Sequence, residues 1–170
     1  EGAYVTIVDN FERGKREYIL EILNSVELIE KDIRDEKILN EVVRDIDCVI
    51  HLAAIVGDPL CKKIPVAAKQ INEDATKKLV NISKKQGVKR FIFASTCSNY
   101  GSALTIVDEN SPIQPLSLYS KTKVNSENFI LNTKNSSFEP CILRFATAHG
   151  LSPRMRFDLM LQEFLRDAVL

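Results

Sequence analysis

Five short runs rich in Val, Ile and Phe recur along the chain at intervals too long for hairpins: Tyr4 to Val8, Val26 to Ile29, Cys48 to Leu52, Arg90 to Ala94 and Pro140 to Phe145. Runs that are apolar on both faces suit strands buried in a parallel sheet, where helices cover both sides. The segments between them change period. Glu36 to Val43, Val66 to Gln86, Ser117 to Asn132 and Met155 to Val169 carry apolar residues at three- and four-residue steps, the spacing of an amphipathic helix. Strand, crossover helix and strand in alternation predict an α/β chain with a doubly wound, three-layer parallel sheet. Asp35 stands where a helix N-cap belongs, and Gly87 where a left-handed C-cap residue ends the long second helix.

The length of 170 residues is that of one domain and needs no disulfide or metal to hold its core. Charge balances, with 23 Lys and Arg against 23 Asp and Glu, which removes the electrostatic case for nucleic acid or an anionic membrane as partner. Four cysteines, Cys48, Cys61, Cys97 and Cys141, lie far apart without metal-ligand spacing, so a reduced, cytoplasmic chain without a metal site is expected.

In open parallel sheets ligands bind beyond the carboxyl ends of the strands. The first run leads into Asp9-Asn10, where a carboxylate can accept both ribose hydroxyls of an adenosine and would repel a 2'-phosphate, favouring NAD over NADP. The second ends in Asp32-Ile33, suited to an adenine amino group and its ring face. The third gives His51-Leu52-Ala53-Ala54, whose alanines let backbone approach a dinucleotide, while His51 itself reads as a core residue. The fourth runs into the hydroxyl-rich Ser95-Thr96-Cys97-Ser98-Asn99-Tyr100-Gly101.

Tyr119 and Lys123 then lie four apart on a predicted helix, on one face. A phenol is a poor base near neutrality, but an adjacent ammonium, together with a cationic nicotinamide ring, favours its phenolate. Such a Tyr exchanges a proton with an alcohol while hydride moves to the cofactor. Lys123 would also orient a ribose.

Taken in order, Asp9-Asn10, Asp32-Ile33, His51-Leu52-Ala53-Ala54, Asn72, Ser95-Thr96, Tyr100-Gly101, Tyr119-x-x-x-Lys123 and Leu143-Arg144-Phe145 resemble the extended short-chain dehydrogenase/reductases, specifically their NAD-dependent nucleotide-sugar epimerase/dehydratase group. That likeness implies a Rossmann-like fold, NAD as cofactor, a nucleotide-sugar substrate and a homodimeric complete enzyme. It makes Thr96, Tyr119 and Lys123 catalytic. Asp9, Asn10, Asp32, Ile33, Leu52, Ala53, Ala54, Asn72, Ser95 and Phe145 would meet the cofactor beside Tyr119 and Lys123. Thr96, Cys97, Ser98, Tyr119 and Thr147 would meet the substrate.

Three departures refine the expectation. Related 4,6-dehydratases carry Asp-Glu directly after the Ser/Thr, where this chain has Cys97-Ser98, so epimerisation by transient oxidation and re-reduction is preferred. A reductase or dehydratase of the same superfamily and a non-catalytic scaffold remain the alternatives. Thr147 stands where epimerases often have Asn against the substrate diphosphate. Finally, the Gly-rich turn that should lie about 20 residues before Asp9 has only eight residues in which to fit, and the six glycines form no such cluster. Residues 1–150 are therefore expected to form an NAD-binding domain lacking its first, central strand and phosphate turn, and 151–170 the start of a substrate-binding region. The chain reads as an inactive internal piece of a longer enzyme.

Overall fold

The computed structural model describes residues 2–157 and 159–169. Strands β1 (Thr6–Asp9), β2 (Glu27–Glu30), β3 (Cys48–His51), β4 (Arg90–Thr96) and β5 (Glu139–Phe145) alternate with helices α1 (Glu36–Val42), α2 (Asp58–Lys63), α3 (Pro65–Lys69), α4 (Thr76–Lys85) and α5 (Leu118–Asn132), and α6 (Met160–Val169) follows. Every strand pairing is parallel. The Rossmann-like α/β class expected from the alternating periods is the one observed.

The sheet is divided. β1 pairs with β2, and β3, β4 and β5 form a second sheet in that order. β1 and β3 pair only away from each other.

Register sorts the side chains of the larger sheet. Residues paired across parallel strands share a face, so Val49, Phe91 and Pro140 lie on one side and Ile50, Ile92 and Cys141 on the other. The first side is packed. Phe91 and Phe93 are fully buried there with Leu39 and Val43 from the α1 end, Leu79, Val80 and Ile82 of α4, and Ile130 of α5. On the other side Ile50, Leu143 and Phe145 are exposed. Of the three layers expected, this sheet and its described surroundings show two.

Local chemistry sets the helix ends. Asp35 caps α1 by accepting from the N–H groups of Lys37 and Ile38. Ser117 and Ser120 form a reciprocal capping box at the start of α5, satisfying two otherwise orphan donors. Gly87 adopts φ 82°, and Val88 N–H donates to Ser83 O, closing α4 as expected.

Three segments differ from the periodicity. Arg16–Ser25, assigned to nothing, is a 3-10 run without a buried residue. The helix expected over 66–86 is interrupted by a π-helical turn, Gln70–Ala75, at Asn72. The Asn72 carbonyl accepts from the Thr76 and Ser126 hydroxyls, and such side-chain bonds draw a carbonyl off the helix ladder. The last helix starts at Met160, not Met155. No described helix is long and apolar enough to cross a membrane.

Candidate active site

The carboxyl end of β4 and the first turns of α5 meet. Thr96, 8% exposed, caps the 3-10 turn Cys97–Tyr100 by accepting the Ser98 N–H at 3.1 Å. That bond leaves the Thr96 hydroxyl proton free to donate. Tyr119 is 9% exposed and packed with Ile55, Cys61, Ala68 and Ile71. Burial pushes the Tyr119 phenol above its ordinary pKa, Cys61, Asp58 and Cys97 add to the rise, and the nearby Thr96 hydroxyl opposes it by favouring the phenolate.

Lys123 is 2% exposed. Its ammonium donates to Ala94 O at 2.8 Å, lies 4.6 Å from the Phe93 ring centroid and 6.0 Å from that of Tyr119. Burial lowers its pKa to about 8, against the raising influence of Cys61 and Glu127. Thr96, Tyr119 and Lys123 thus come together as the sequence implied. The expected lowering of the Tyr119 pKa is absent in the protein alone, because the cost of burying a phenolate outweighs an ammonium held on a backbone carbonyl.

The strand-end loop after β3 forms the adjoining wall. Asn72, 1% exposed, accepts from Ile55 N–H at 2.7 Å and donates to Ile55 O at 2.9 Å, so both ends of its amide hold this loop. Ser95, also placed in the cofactor set, is buried and accepts from Asn99 at 3.0 Å. His51 is a core residue as read: its Nε2 meets Thr76 Oγ1 at 2.8 Å. Because Thr76 donates to Asn72 O, it must accept here, which fixes the His51 proton on Nε2. Burial lowers the His51 pKa to about 3, with Lys123 contributing.

Sequence reasoning missed Asp58 and Cys61. Asp58 opens α2 and accepts from the Ser117 hydroxyl at 2.5 Å, tying that helix to the cap of α5. Cys61 is fully buried against Tyr119. The turn Gly57-Asp58-Pro59 was the available signal, since Asp and Pro favour the first turn of a helix.

The cofactor carboxylates lie on the smaller sheet. Asp9 is exposed and accepts the Phe11 N–H through Oδ1 at 2.7 Å, leaving Oδ2 for a ribose hydroxyl. Asn10 donates to Asp32 Oδ2 at 3.0 Å, which joins the two strand ends. Asp32 is further engaged by Arg34 through Nε at 2.9 Å and Nη2 at 2.6 Å, and these bonds lower its pKa to about 2. Ile33 packs against both core clusters. Leu52 is exposed, and Ala53 and Ala54 are half-buried. Phe145, half exposed, pairs in register with Thr96, whereas Cys97, Ser98 and Thr147 are exposed.

A sequence profile described as the NAD dependent epimerase/dehydratase family matches residues 1–168. The chain belongs to this family. UDP-arabinose 4-epimerase 1 of Arabidopsis thaliana is 31% identical over 166 residues, which are 92% of this chain and 40% of that protein. UDP-glucose 4-epimerase of Rhizobium leguminosarum bv. trifolii is 29% identical, over 88% of this chain and 46% of its own. Among solved structures, the UDP-N-acetylglucosamine 4-epimerase of Methanobrevibacter ruminantium M1, in complex with UDP-N-acetylmuramic acid, superposes with a TM-score of 0.87 at 27% identity, covering 97% of this chain and 55% of that one. The chain therefore spans about half the length of such relatives or less.

NAD is the cofactor of this epimerase/dehydratase family, and the exposed Asp9 oxygen together with the Lys123 ammonium, a three-proton donor of which one is placed on Ala94 O, fits its two riboses.

Proposed function

We propose that the complete enzyme epimerises a nucleotide sugar by transient oxidation and re-reduction at a sugar carbon. The observation that carries this reading is the buried Tyr119 phenol, with the Lys123 ammonium, one turn further along α5, 6.0 Å from its ring and the buried Thr96 hydroxyl at the neighbouring end of β4. In the reaction Thr96 holds the sugar hydroxyl, Tyr119 takes its proton and later returns it, and Lys123 supplies positive charge. NAD, when bound, accepts and returns the hydride. Cys97 and Ser98 bring no carboxylate to the strand end, so an added acid and base for dehydration are missing there. The 4-epimerase relatives support the same reaction class.

Asp9, Asn10, Asp32 and Ile33 serve the adenosine half in this reading, Leu52, Ala53, Ala54 and Phe145 the nicotinamide side, and Thr147 the substrate. Residues 1–150 act as the NAD-binding part and 151–170 begin the substrate-binding part. The complete enzyme is a cytoplasmic homodimer, and residues 1–170 by themselves are inactive.

The test is product analysis by NMR with a panel of nucleotide sugars and the complete enzyme, wild type and Tyr119→Phe. Epimer should form without net change in NAD redox state. The variant should turn over roughly 10²- to 10⁴-fold more slowly with near-unchanged NAD affinity. Stoichiometric release of oxidised cofactor would make the protein a reductase, and near-wild-type turnover would remove Tyr119 from the chemistry.

A further inference from the structure

We propose that Glu127, Arg144 and Asn99 form a positioning device that holds the turn carrying Thr96 against the helix of Tyr119. The inference rests on the reading of Tyr119 as the acid/base, but concerns groups that touch neither substrate nor cofactor. Tyr119, Lys123 and Glu127 follow one another at four-residue steps, so the carboxylate lies one turn beyond the lysine on the same side of α5. It is almost wholly buried, its side chain 1% exposed.

Two other elements converge on it. From β5, Arg144 reaches Glu127 with a fork: Nη2 donates to Oε2 at 2.8 Å and Nε to the same oxygen at 3.1 Å. From the turn after β4, Asn99 donates to Oε1 at 2.8 Å, while the same amide donates to Ser95 Oγ, inside β4 itself. Arg144 Nη1 also donates to the Tyr100 hydroxyl at 3.0 Å, and its guanidinium stacks 5.1 Å from that ring. Thr96 is therefore bracketed. Ser95 before it and Asn99 and Tyr100 after it are all tied to one buried ion pair whose other anchor is the helix of Tyr119.

A buried ion pair contributes little net stability, since desolvation cancels most of the attraction, but it fixes geometry sharply because misalignment leaves a charge unpaired. A second tie holds the far end of the same turn. Asn99 O accepts from Gln114 N–H, and Gly101, at φ 67°, lies so near Gln114 that an added Cβ would come within 2.4 Å of the Gln114 carbonyl oxygen.

The readout is the titration midpoint of Tyr119, followed by NMR of the 170-residue chain with tyrosine labelled at Cζ and assigned by comparison with Tyr119→Phe. The groups facing Tyr119 are Cys61 and Asp58 from α2, Cys97 and Thr96 from the β4 end, and Lys123 from its own helix. Thr96 and Cys97 both lie on the strand end that the device holds, and of the two Thr96, which lowers the midpoint, outweighs Cys97, which raises it. Asn99→Ala changes no charge, yet should move the midpoint upward by about 1 pH unit as the Thr96 hydroxyl drifts from the phenol. Arg144→Lys keeps the charge but loses the fork, and should move it the same way by less.

In the complete enzyme both variants should lower kcat more than they raise KM. Where Asn99→Ala does not melt cooperatively, Arg144→Lys decides. Unmoved midpoints in cooperatively melting variants overturn the proposal, whatever Tyr119→Phe does to turnover. Conversely, moved midpoints together with an active Tyr119→Phe would uphold the device and overturn the acid/base reading.

Discussion

The two sheets are built by different means. β1, β2 and the 3-10 run between them contain no buried residue, and their ends are joined by polar bonds among Asn10, Asp32 and Arg34. The sheet of β3, β4 and β5 instead presses fully buried Phe91 and Phe93 against three helices, and it buries His51 and Glu127 with hydrogen-bonded partners. The contrast follows function as proposed. Carboxylates that meet the edge of an adenosine stay accessible, whereas groups that exchange a proton gain from a dry, fixed surround.

The largest way to break this comparison is through packing. Phe91→Ala should destabilise the chain by about 3–5 kcal/mol, the range for emptying a buried aromatic site. Leu28→Ala, at a half-buried position of β2, should cost less than about 2 kcal/mol. Urea unfolding of both variants checks this, and equal costs would mean that the smaller sheet is as tightly built as the larger.

Acid sharpens the same contrast. The folded-state pKa of His51 is about 3, below the ordinary 6.5, so the unfolded chain binds a proton that the folded chain refuses. His51 therefore removes stability progressively as pH falls below 6.5 towards 3. Between about 6.5 and 5.5 the perturbed carboxylates Asp32 and Glu73 are ionised in both states, because their ordinary values of 3.8 and 4.5 lie a unit or more below and folding lowers them further. The slope there belongs to His51 and amounts to about 1 kcal/mol over that unit. His51→Phe should flatten it in stability measurements at pH 6.5 and 5.5, and an unchanged slope would place the acid sensitivity elsewhere.

The smaller sheet is probed through the cofactor. In the complete enzyme Asp9→Ala should reduce the preference for NAD over NADP by about tenfold, the worth of a charge-assisted hydrogen bond. Titration calorimetry with both dinucleotides gives the ratio. Equal affinities in the wild type would remove Asp9 from the ribose.

Legibility in the sequence divides along the same line. Strand and helix spans were readable because apolar period is a local property, and Tyr119 and Lys123 because a four-residue step defines a helix face. The π turn was not, since it depends on the Asn72 carbonyl accepting from Ser126, 54 residues away. Nor was the Glu127–Arg144 pair, whose members lie on different elements and meet only when β5 docks beside α5. Lys123 was placed correctly but its ammonium was not, because Ala94 O becomes its acceptor only once β4 lies beneath the helix.

The smallest expected effect belongs to Arg34→Gln. The Arg34–Asp32 pair is bidentate but its side chains remain 43% and 28% exposed, so water competes for both partners. Pairs of this kind contribute about 0–1 kcal/mol. The sign of the pH dependence is set by the carboxylate: with its folded pKa lowered from 3.8 to about 2, Asp32 adds stability above 3.8 that is lost as pH falls through 2. Removing the guanidinium should return the Asp32 midpoint towards 3.8 and cost less than about 1 kcal/mol at neutral pH, less still at high salt. Asn10 would continue to join the two strand ends through its own bond to Asp32. Urea unfolding at two salt concentrations, with the carboxyl titration followed by NMR, measures all three quantities. A loss above about 2 kcal/mol would show that the smaller sheet is held by this one pair, and the distinction between an openly solvated half and a packed half would then rest on geometry alone.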